Sequence, residues 1–151
     1  MAPIVSTIEI SRPPAVVFAY ATDPMRFKEW QDDVISGAMV GTGPPIVGAR
    51  YTVNRQIGRS ERQATFQITE SEPPLRWAVR GIDGPIRAIA EVTIEPLDGG
   101  TRSRLTVSLD FEGYGIGKLL VPLVVRPQTR KISPVSYRHL KERLEKEPDQ
   151  D

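Results

Sequence analysis

Between residues 34 and 111, apolar side chains alternate with polar ones in short runs, and clusters of glycine, proline, serine and aspartate separate the runs. Alternation with a period of two is typical of strands that bury one face, and the clusters are typical of turns. The clusters occupy residues 41–45, 58–60, 71–74, 81–85 and 96–100, and they divide the region into six strands. The pattern therefore predicts an antiparallel meander with one solvated face and one covered face.

The residues before this region predict one more strand and two short helices. Residues 4–10 alternate like the later strands, and the prolines at 13 and 14 end that strand, because the residue before a proline avoids the helical region. Pro14 suits the first position of a helix. The sequence Thr22-Asp23-Pro24 then provides an N-cap for a second short helix ending near Trp30.

The residues after the meander predict the cover of the sheet. Leucines and Tyr137 recur near helical spacing from about 116 to 147, which predicts one long helix. Such a helix is about 45 Å long, whereas a strand of ten residues is about 33 Å long, so the helix can cross the whole sheet. Pro127 and Pro134 each remove a backbone hydrogen bond, so we expect a kink or break at them. Residues 148–151 are predicted to fray.

Composition excludes several kinds of site. The chain has no cysteine and one histidine, so it has no thiol nucleophile and no disulfide, and it lacks the ligands of most zinc or iron sites. We expect no metal and no cofactor. The 20 basic and 19 acidic side chains give a net charge of +1, which argues against a nucleic-acid partner and a polybasic membrane anchor.

Location and assembly follow from the same sequence. The first ten residues do not resemble a secretory signal, and the longest apolar run, residues 119–125, is too short to span a bilayer. We therefore expect a cytoplasmic protein with no integral membrane association. The length of 151 residues suits a single domain, which we place at residues 1–147. We expect a monomer or a weak dimer.

Five segments share their order with a known superfamily. They are residues 13–30 (beginning PPAVVFAYATDP), 47–51 (VGARY), 68–74 (ITESEPP), 99–102 (GGTR) and 117–123 (GKLLVPL). Together they resemble the START-related (SRPBCC) superfamily, in its polyketide cyclase/dehydrase and lipid-transport branch, over about residues 4–146. The resemblance implies an α+β helix-grip fold, in which a curved seven-stranded antiparallel sheet has two short helices after strand one and a long C-terminal helix across its concave face.

The resemblance also implies a deep apolar cavity between the sheet and the long helix, within a START-like ligand-binding domain. The side chains expected to line it are Trp30 at the mouth, Tyr51, Phe66, Trp77, Leu109 and Phe111 on the sheet, and Leu123 and Tyr137 on the helix. The alternative is that these side chains pack against one another as an ordinary core. For Trp30, the alternative is packing of the two short helices onto the sheet.

Arg55 is the most informative polar residue, because it shares the parity of Tyr51 and Val53 on a predicted strand. That parity points the guanidinium toward the covered face. A buried guanidinium requires an anion or several acceptors, so Arg55 is a candidate anchor for a ligand carboxylate, enol or carbonyl. The alternative is that the strand ends early and Arg55 lies at the rim.

Other polar residues indicate ordinary structural roles. Asp32 and Asp33 are adjacent, so their side chains diverge, and a role in a solvated loop or turn is favoured over acid/base chemistry. His139 has no matched nucleophile or base and is interpreted as a surface residue. The glycine-rich segment 113–118 lacks the spacing of a phosphate loop and is interpreted as a flexible lid or hinge. The basic residues of the C-terminal segment are interleaved with glutamates near its end and suggest a solvated face.

These observations predict binding or transport of a small hydrophobic ligand, such as a lipid, a quinone or a polyketide-like molecule, with Arg55 or Tyr137 fixing its orientation. No residue is assigned a catalytic role. The first alternative is an enzyme resembling polyketide aromatase/cyclases, with dehydrase-type chemistry promoted by the few polar groups of the pocket. The second is a protein-interaction module that uses the open sheet edge or the lid and holds no ligand.

Overall fold

The computed structural model describes residues 2–146. The strands are β1 (Ile4–Ile10), β2 (Val34–Met39), β3 (Arg50–Ile57), β4 (Ser60–Glu72), β5 (Arg76–Gly81), β6 (Ile86–Leu97) and β7 (Arg102–Gly113). The helices are α1 (Pro14–Ala21), α2 (Phe27–Trp30), α3 (Gly117–Leu120) and α4 (Arg126–Lys146), with a π-helical turn at Val121–Val125. The tail predicted to fray, and the predicted last residue of the domain, lie outside the described residues.

The strands form one antiparallel sheet in the order β1-β7-β6-β5-β4-β3-β2. The six strands predicted between 34 and 111 are present as a meander, and β1 joins it by pairing with β7 from Ile4↔Leu109 to Ile10↔Ser103. Register shifts interrupt the β2–β3 and β4–β5 ladders, and such bulges increase the bend and twist of a sheet. The sheet curls into a half-barrel, and the predicted helix-grip fold is confirmed.

The two faces of the sheet differ as the alternation predicts. On the convex face, Arg104 forms ion pairs with Glu9 on β1 (3.1 Å) and Glu95 on β6 (2.7 Å). Hydrogen bonds from Arg104 and Arg102 hold the pKa of Glu9 below its usual range. The concave face carries most of the apolar core of β3 to β7. The covered face therefore points toward the C-terminal helix.

The helical segment 117–146 is irregular at only one of its predicted break points. The π-helical turn ends where the Arg126 N–H donates to the Val121 carbonyl, immediately before Pro127, which has no N–H to continue the regular pattern. Helix α4, by contrast, continues through Pro134. The expectation of an interruption is confirmed beside Pro127, and a break at Pro134 is wrong.

The first part of this segment is rotated so that its leucines face outward. Gly117, Val121 and Val125 recur every four residues and are buried. Residues two positions away on a helix point to nearly the opposite side, so Leu119 and Leu123 face solvent. Gly117 sets this rotation, because an added Cβ would lie 1.8 Å from the Pro85 carbonyl oxygen. The interpretation of these leucines as part of the covered face is therefore wrong.

Candidate functional site

A cavity of about 390 Å³ lies between the concave face of the sheet and helix α4. Its volume falls within the range of about 300 to 1,000 Å³ that is usual for small-molecule pockets. Eight of the nine predicted site residues line it, namely Trp30, Tyr51, Arg55, Phe66, Trp77, Leu109, Phe111 and Tyr137. The exception is Leu123, which is 71% exposed because it lies opposite the buried stripe of its helix. Placing Leu123 in the cavity was wrong.

Aromatic side chains form one continuous wall of the cavity. Tyr51 on β3 lies directly opposite Phe66 on β4, and their rings stack with centroids 5.2 Å apart. Trp77 continues the stack at 6.2 Å from Tyr51. On the helical side, Trp30 contacts Tyr137 of α4 with centroids 5.9 Å apart. Trp30 therefore packs a short helix against the core, which was the alternative interpretation, and it also lines the cavity as a buried residue and not at an exposed mouth.

Phe27 is a lining residue that the sequence analysis did not assign. It makes edge-to-face contacts with Trp30 (6.1 Å) and Tyr51 (5.9 Å), and so it joins α2 to the aromatic wall. Phe27 and Trp30 are three residues apart, and this spacing places two aromatic rings on one face of a helical turn. That spacing is the sequence signal by which Phe27 could have been found.

Two buried phenols contribute polar groups to the cavity. Burial raises the pKa of both Tyr51 and Tyr137 well above the ordinary tyrosine value, and the nearby Arg55 charge offsets this only partly. Both side chains are therefore neutral near pH 7 and are able to donate a hydrogen bond. Among residues 2–146, neither hydroxyl is hydrogen-bonded to another protein group.

An ion pair forms the charged part of the cavity wall. Arg55 Nη1 lies 3.0 Å from Asp33 Oδ2, and the two side chains are 30% and 12% exposed. The sheet brings them together, because the Gln56 N–H donates to the Asp33 carbonyl and Arg55 pairs with Val34. Arg55 therefore lines the cavity as a partly buried cation, between the two predicted alternatives.

Asp33 does not occupy the solvated loop that the sequence predicted. Adjacent side chains do diverge here, but the divergence sends Asp33 inward and leaves Asp32 exposed, 3.3 Å from His139. Asp33 immediately precedes β2, where no strand parity reveals its direction. The expected turn is confirmed for both residues, and its expected exposure to solvent is confirmed for Asp32 and wrong for Asp33.

Hydrogen-bonding capacity remains unused beside this ion pair. In the described part of the chain, Asp33 Oδ1 and Trp30 Nε1 are buried and have no hydrogen-bond partner. A buried polar atom without a partner is costly, by about 1 to 3 kcal/mol. One acceptor and one donor are therefore unsatisfied at the same end of the cavity wall, on α2 and the loop that follows it.

Helix α4 adds a row of small polar groups that the sequence analysis also missed. Thr129, Ser133 and Ser136 line the cavity, and both serines are buried. Their spacing of four and three residues places them on one helical face, together with Tyr137. Apolar periodicity does not reveal this stripe, because its members are hydroxyl residues. The wall of the cavity is therefore apolar on the sheet and partly hydroxylated on the helix.

The mouth of the cavity lies where exposed residues join the lining. These belong to the β3–β4 hairpin and to the loop between β5 and β6. The Gln128 amide bridges the hairpin to α4, since its Oε1 accepts from the Gly58 N–H (2.9 Å) and its Nε2 donates to the Gln56 carbonyl (2.8 Å). This bridge defines one rim of the mouth.

The glycine-rich segment 113–118, interpreted above as a lid or hinge, makes close backbone contacts at Gly113 and Gly117. A Cβ on Gly113 would lie 2.3 Å from the Gly117 carbonyl oxygen, so only glycine fits there. The Tyr114 N–H donates to the Pro85 carbonyl at 2.9 Å and ties the turn to the β5–β6 loop. The segment therefore fixes α3 against the mouth.

Among residues 2–146, no group of three or more histidine, aspartate or glutamate side chains is placed to hold a metal ion. Over the same range, none of the helices has both the length and the apolar character needed to cross a bilayer.

Solved structures share this architecture. The chain is similar to TTHA0849 from Thermus thermophilus, with a TM-score of 0.75, 19% identity, and coverage of 94% of this chain and 96% of that one. It is similar to the Zhui aromatase/cyclase from a Streptomyces species, with a TM-score of 0.76, 14% identity, and coverage of 95% and 93%. At these identities the structural likeness shows the shared fold alone.

A START superfamily protein from Mycobacterium smegmatis is also similar, with a TM-score of 0.70, 14% identity, and coverage of 96% of this chain and 95% of that one. No curated protein sequence matches the chain. The predicted superfamily is confirmed by these folds together with a family sequence model that covers nearly the whole chain. The chain belongs to the polyketide cyclase/dehydrase and lipid transport family, whose sequence model matches residues 1–145.

Proposed function

We propose that this protein binds a small or medium hydrophobic molecule in the cavity between the sheet and helix α4. The observation that carries the proposal is the cavity of about 390 Å³, whose wall is mostly aromatic and aliphatic and includes one ion pair. The volume is near the lower end of the usual range, which favours a compact ligand with one ring system or one short chain.

Apolar burial supplies most of the affinity in this proposal. A ligand that loses about 300 Å² of apolar surface gains about 7 kcal/mol, at roughly 25 cal/mol per Å². The loss of translational and rotational freedom offsets a large part of that gain. Tight binding therefore requires both a close fit to the aromatic wall and at least one satisfied polar contact.

The polar contact is assigned to the region around Arg55. Its guanidinium has one nitrogen on Asp33, which leaves other donors for a ligand carboxylate, enol or carbonyl. Tyr137 lies on the opposite wall and donates a further hydrogen bond from a neutral hydroxyl. A ligand with one polar end and one apolar end is oriented by these groups.

The intrinsic fluorescence of the protein tests this proposal directly. The chain contains two tryptophans, Trp30 and Trp77, and both line the cavity, so all tryptophan emission comes from its wall. Titration with 1-anilinonaphthalene-8-sulfonate, an aromatic anion, is expected to quench or shift that emission with saturation at one site. The companion measurement is native mass spectrometry of the gently purified protein, which is expected to show a co-purifying hydrophobic species.

A cavity-filling variant and a matched control define the site. Ala90→Phe places a ring in the cavity and is expected to weaken binding of the probe by about tenfold or more. Ala38→Phe makes the same change at an exposed position of β2 and is expected to leave binding unchanged. Equal binding by both variants would place the probe elsewhere and refute the assignment.

An enzymatic function is the second candidate, and the inward Asp33 favours it. A carboxylate paired with a guanidinium, beside two neutral phenols, provides groups able to move a proton during closure or dehydration of a polyketide-like chain. The similar Zhui protein is an aromatase/cyclase by name. This candidate predicts turnover of a poly-β-keto substrate that falls sharply in Asp33→Asn, whereas turnover that persists unchanged in Asp33→Asn would remove Asp33 from the mechanism.

A further inference from the structure

Three aliphatic side chains form an exposed row at the start of the C-terminal helical segment. Ile116, Leu119 and Leu123 are 58%, 64% and 71% exposed. They recur at intervals of three and four residues, so they lie on one helical face. Their outward direction is fixed, because Gly117 is packed against Pro85 on the other side of the helix. Contiguous exposed apolar side chains of this kind mark an interaction surface.

The charges along this helical segment have a single sign. From residue 113 to residue 141 the sequence contains no aspartate and no glutamate. The exposed basic residues of this stretch are Lys118, Arg130, Lys131 and Arg138. Arg130 lies seven residues after Leu123, and so it continues the same helical face. The net charge of +1 for the whole chain conceals this local segregation of cations.

The row borders the mouth of the cavity. Pro85, which contacts Gly117, is itself a lining residue, and Val125 lines the cavity one turn after Val121. The acidic residues at the mouth, Glu61 and Asp83, belong to the sheet side rather than to the helix. An apolar ligand that enters or leaves the cavity therefore passes beside an apolar and basic helical face.

We propose that this helical face, defined by Ile116, Leu119 and Leu123 with Lys118, Arg130 and Lys131, docks the protein on an anionic membrane surface. The aliphatic side chains enter the headgroup region, and the cations contact lipid phosphates. Such a combination of apolar and basic side chains is typical of peripheral membrane binding. The charge favours a membrane over a second copy of the chain, because two copies of this face would bring cations together.

Vesicle co-sedimentation tests this proposal with the ligand-free protein. The protein is expected to bind vesicles of equal parts phosphatidylcholine and phosphatidylglycerol, and to bind pure phosphatidylcholine vesicles much more weakly. Added salt is expected to release it, since the attraction to anionic lipid is screened. Binding that is equal on both kinds of vesicle, or absent from both, would overturn the proposal.

Matched variants test the face itself. Leu119→Asp combined with Leu123→Asp is expected to lower the bound fraction by about tenfold or more, because both charges oppose insertion and anionic lipid. Val5→Asp combined with Met25→Asp adds the same charge at two exposed apolar positions on β1 and in the turn before α2, and is expected to bind like the parent protein. Circular dichroism establishes that both double variants are folded. Equal loss in both would show that charge alone acts and would refute the assigned face.

Two further readouts separate this proposal from its competitors. Ala90→Phe, which fills the cavity, is expected to bind vesicles normally, so failure of the proposed ligand site and failure of membrane docking give different results. Sedimentation velocity compares the oligomeric state of the parent protein with that of the leucine double variant. We expect no dimer that is present in the parent protein and lost in the variant. Such a dimer would assign the face to contacts between copies and would overturn the membrane proposal.

Discussion

The two ends of the C-terminal helical segment place the same residue type in opposite environments. Leu119 in α3 and Leu123 in the π-helical turn face solvent, whereas Leu140 and Leu144 of α4 are buried in the core. The helix propensity and hydropathy of a leucine side chain are the same at both ends, so these properties do not explain the difference in burial. The packing partner does, because Gly117 allows the first end to approach Pro85 closely, and this approach sets which side of the helix is covered. A leucine therefore marks a core face only where the rotation of its helix is known.

Truncating one leucine at each end gives the largest expected contrast. Leu140→Ala removes a fully buried side chain and is expected to lower the free energy of unfolding by about 2 to 5 kcal/mol. Leu123→Ala is expected to change it by less than about 0.5 kcal/mol, because exposed side chains contribute little. Urea denaturation followed by circular dichroism measures both. Similar losses for the two variants would contradict the described rotation of the segment.

Filling the close contact at Gly117 tests the cause of that rotation. Gly117→Ala places a Cβ against backbone atoms of Pro85, so the helix or the loop must move, and a loss of about 1 to 3 kcal/mol is expected. Gly43→Ala is the control, because an added Cβ there meets no atom within 4 Å. The same denaturation experiment compares the two, and a neutral Gly117→Ala would show that the contact does not fix the helix.

The adjacent residues Asp33 and Asp32 show the same contrast, because the first side chain is partly buried and the second is exposed. Asp33→Asn weakens the ion pair with the partly buried Arg55 and is expected to cost about 1 to 2 kcal/mol of stability. Asp32→Asn is expected to change stability by less than about 0.5 kcal/mol, since its side chain is exposed. Thermal and urea unfolding measure both variants, and the expectation fails if Asp32→Asn is the more costly.

The buried phenols predict a pH dependence on the alkaline side. The folded-state pKa of Tyr51 and Tyr137 is raised, so above about pH 10 the unfolded chain releases these protons first and stability falls as pH rises. Below that pH their contribution is fully present. Tyr51→Phe is expected to reduce the slope of stability against pH above about 10. Equal slopes for parent and Tyr51→Phe would contradict the prediction.

The sheet and its lining were predictable because strand alternation assigns a direction to each side chain. Tyr51, Phe66 and Trp77 follow the parity of their strands, and all three line the cavity. Arg55 was found by the same parity. Where the regular pattern is absent, direction could not be assigned, as with Asp33 at the edge of β2. The rotation of a helix depends on contacts made far away in sequence, such as that of Gly117 with Pro85, and this is why Leu123 was misplaced.

Polar lining was harder to predict than apolar lining. Ser133 and Ser136 carry no hydropathy signal, yet both are buried beside the cavity. A serine hydroxyl finds hydrogen-bond partners in many environments, including the nearby backbone, so the surrounding packing decides whether it is buried. The small hydroxyl residues of α4 were therefore less visible in the sequence than Arg55 and the two tyrosines, which strand parity and helical spacing had identified.

The double hydrogen bond of Gln128 concentrates one tie between α4 and the β3–β4 hairpin in a single side chain. One side-chain amide both accepts from Gly58 and donates to Gln56, so moving α4 away from the hairpin breaks both contacts together. Substitution of that one residue would therefore release this part of the rim from the helix.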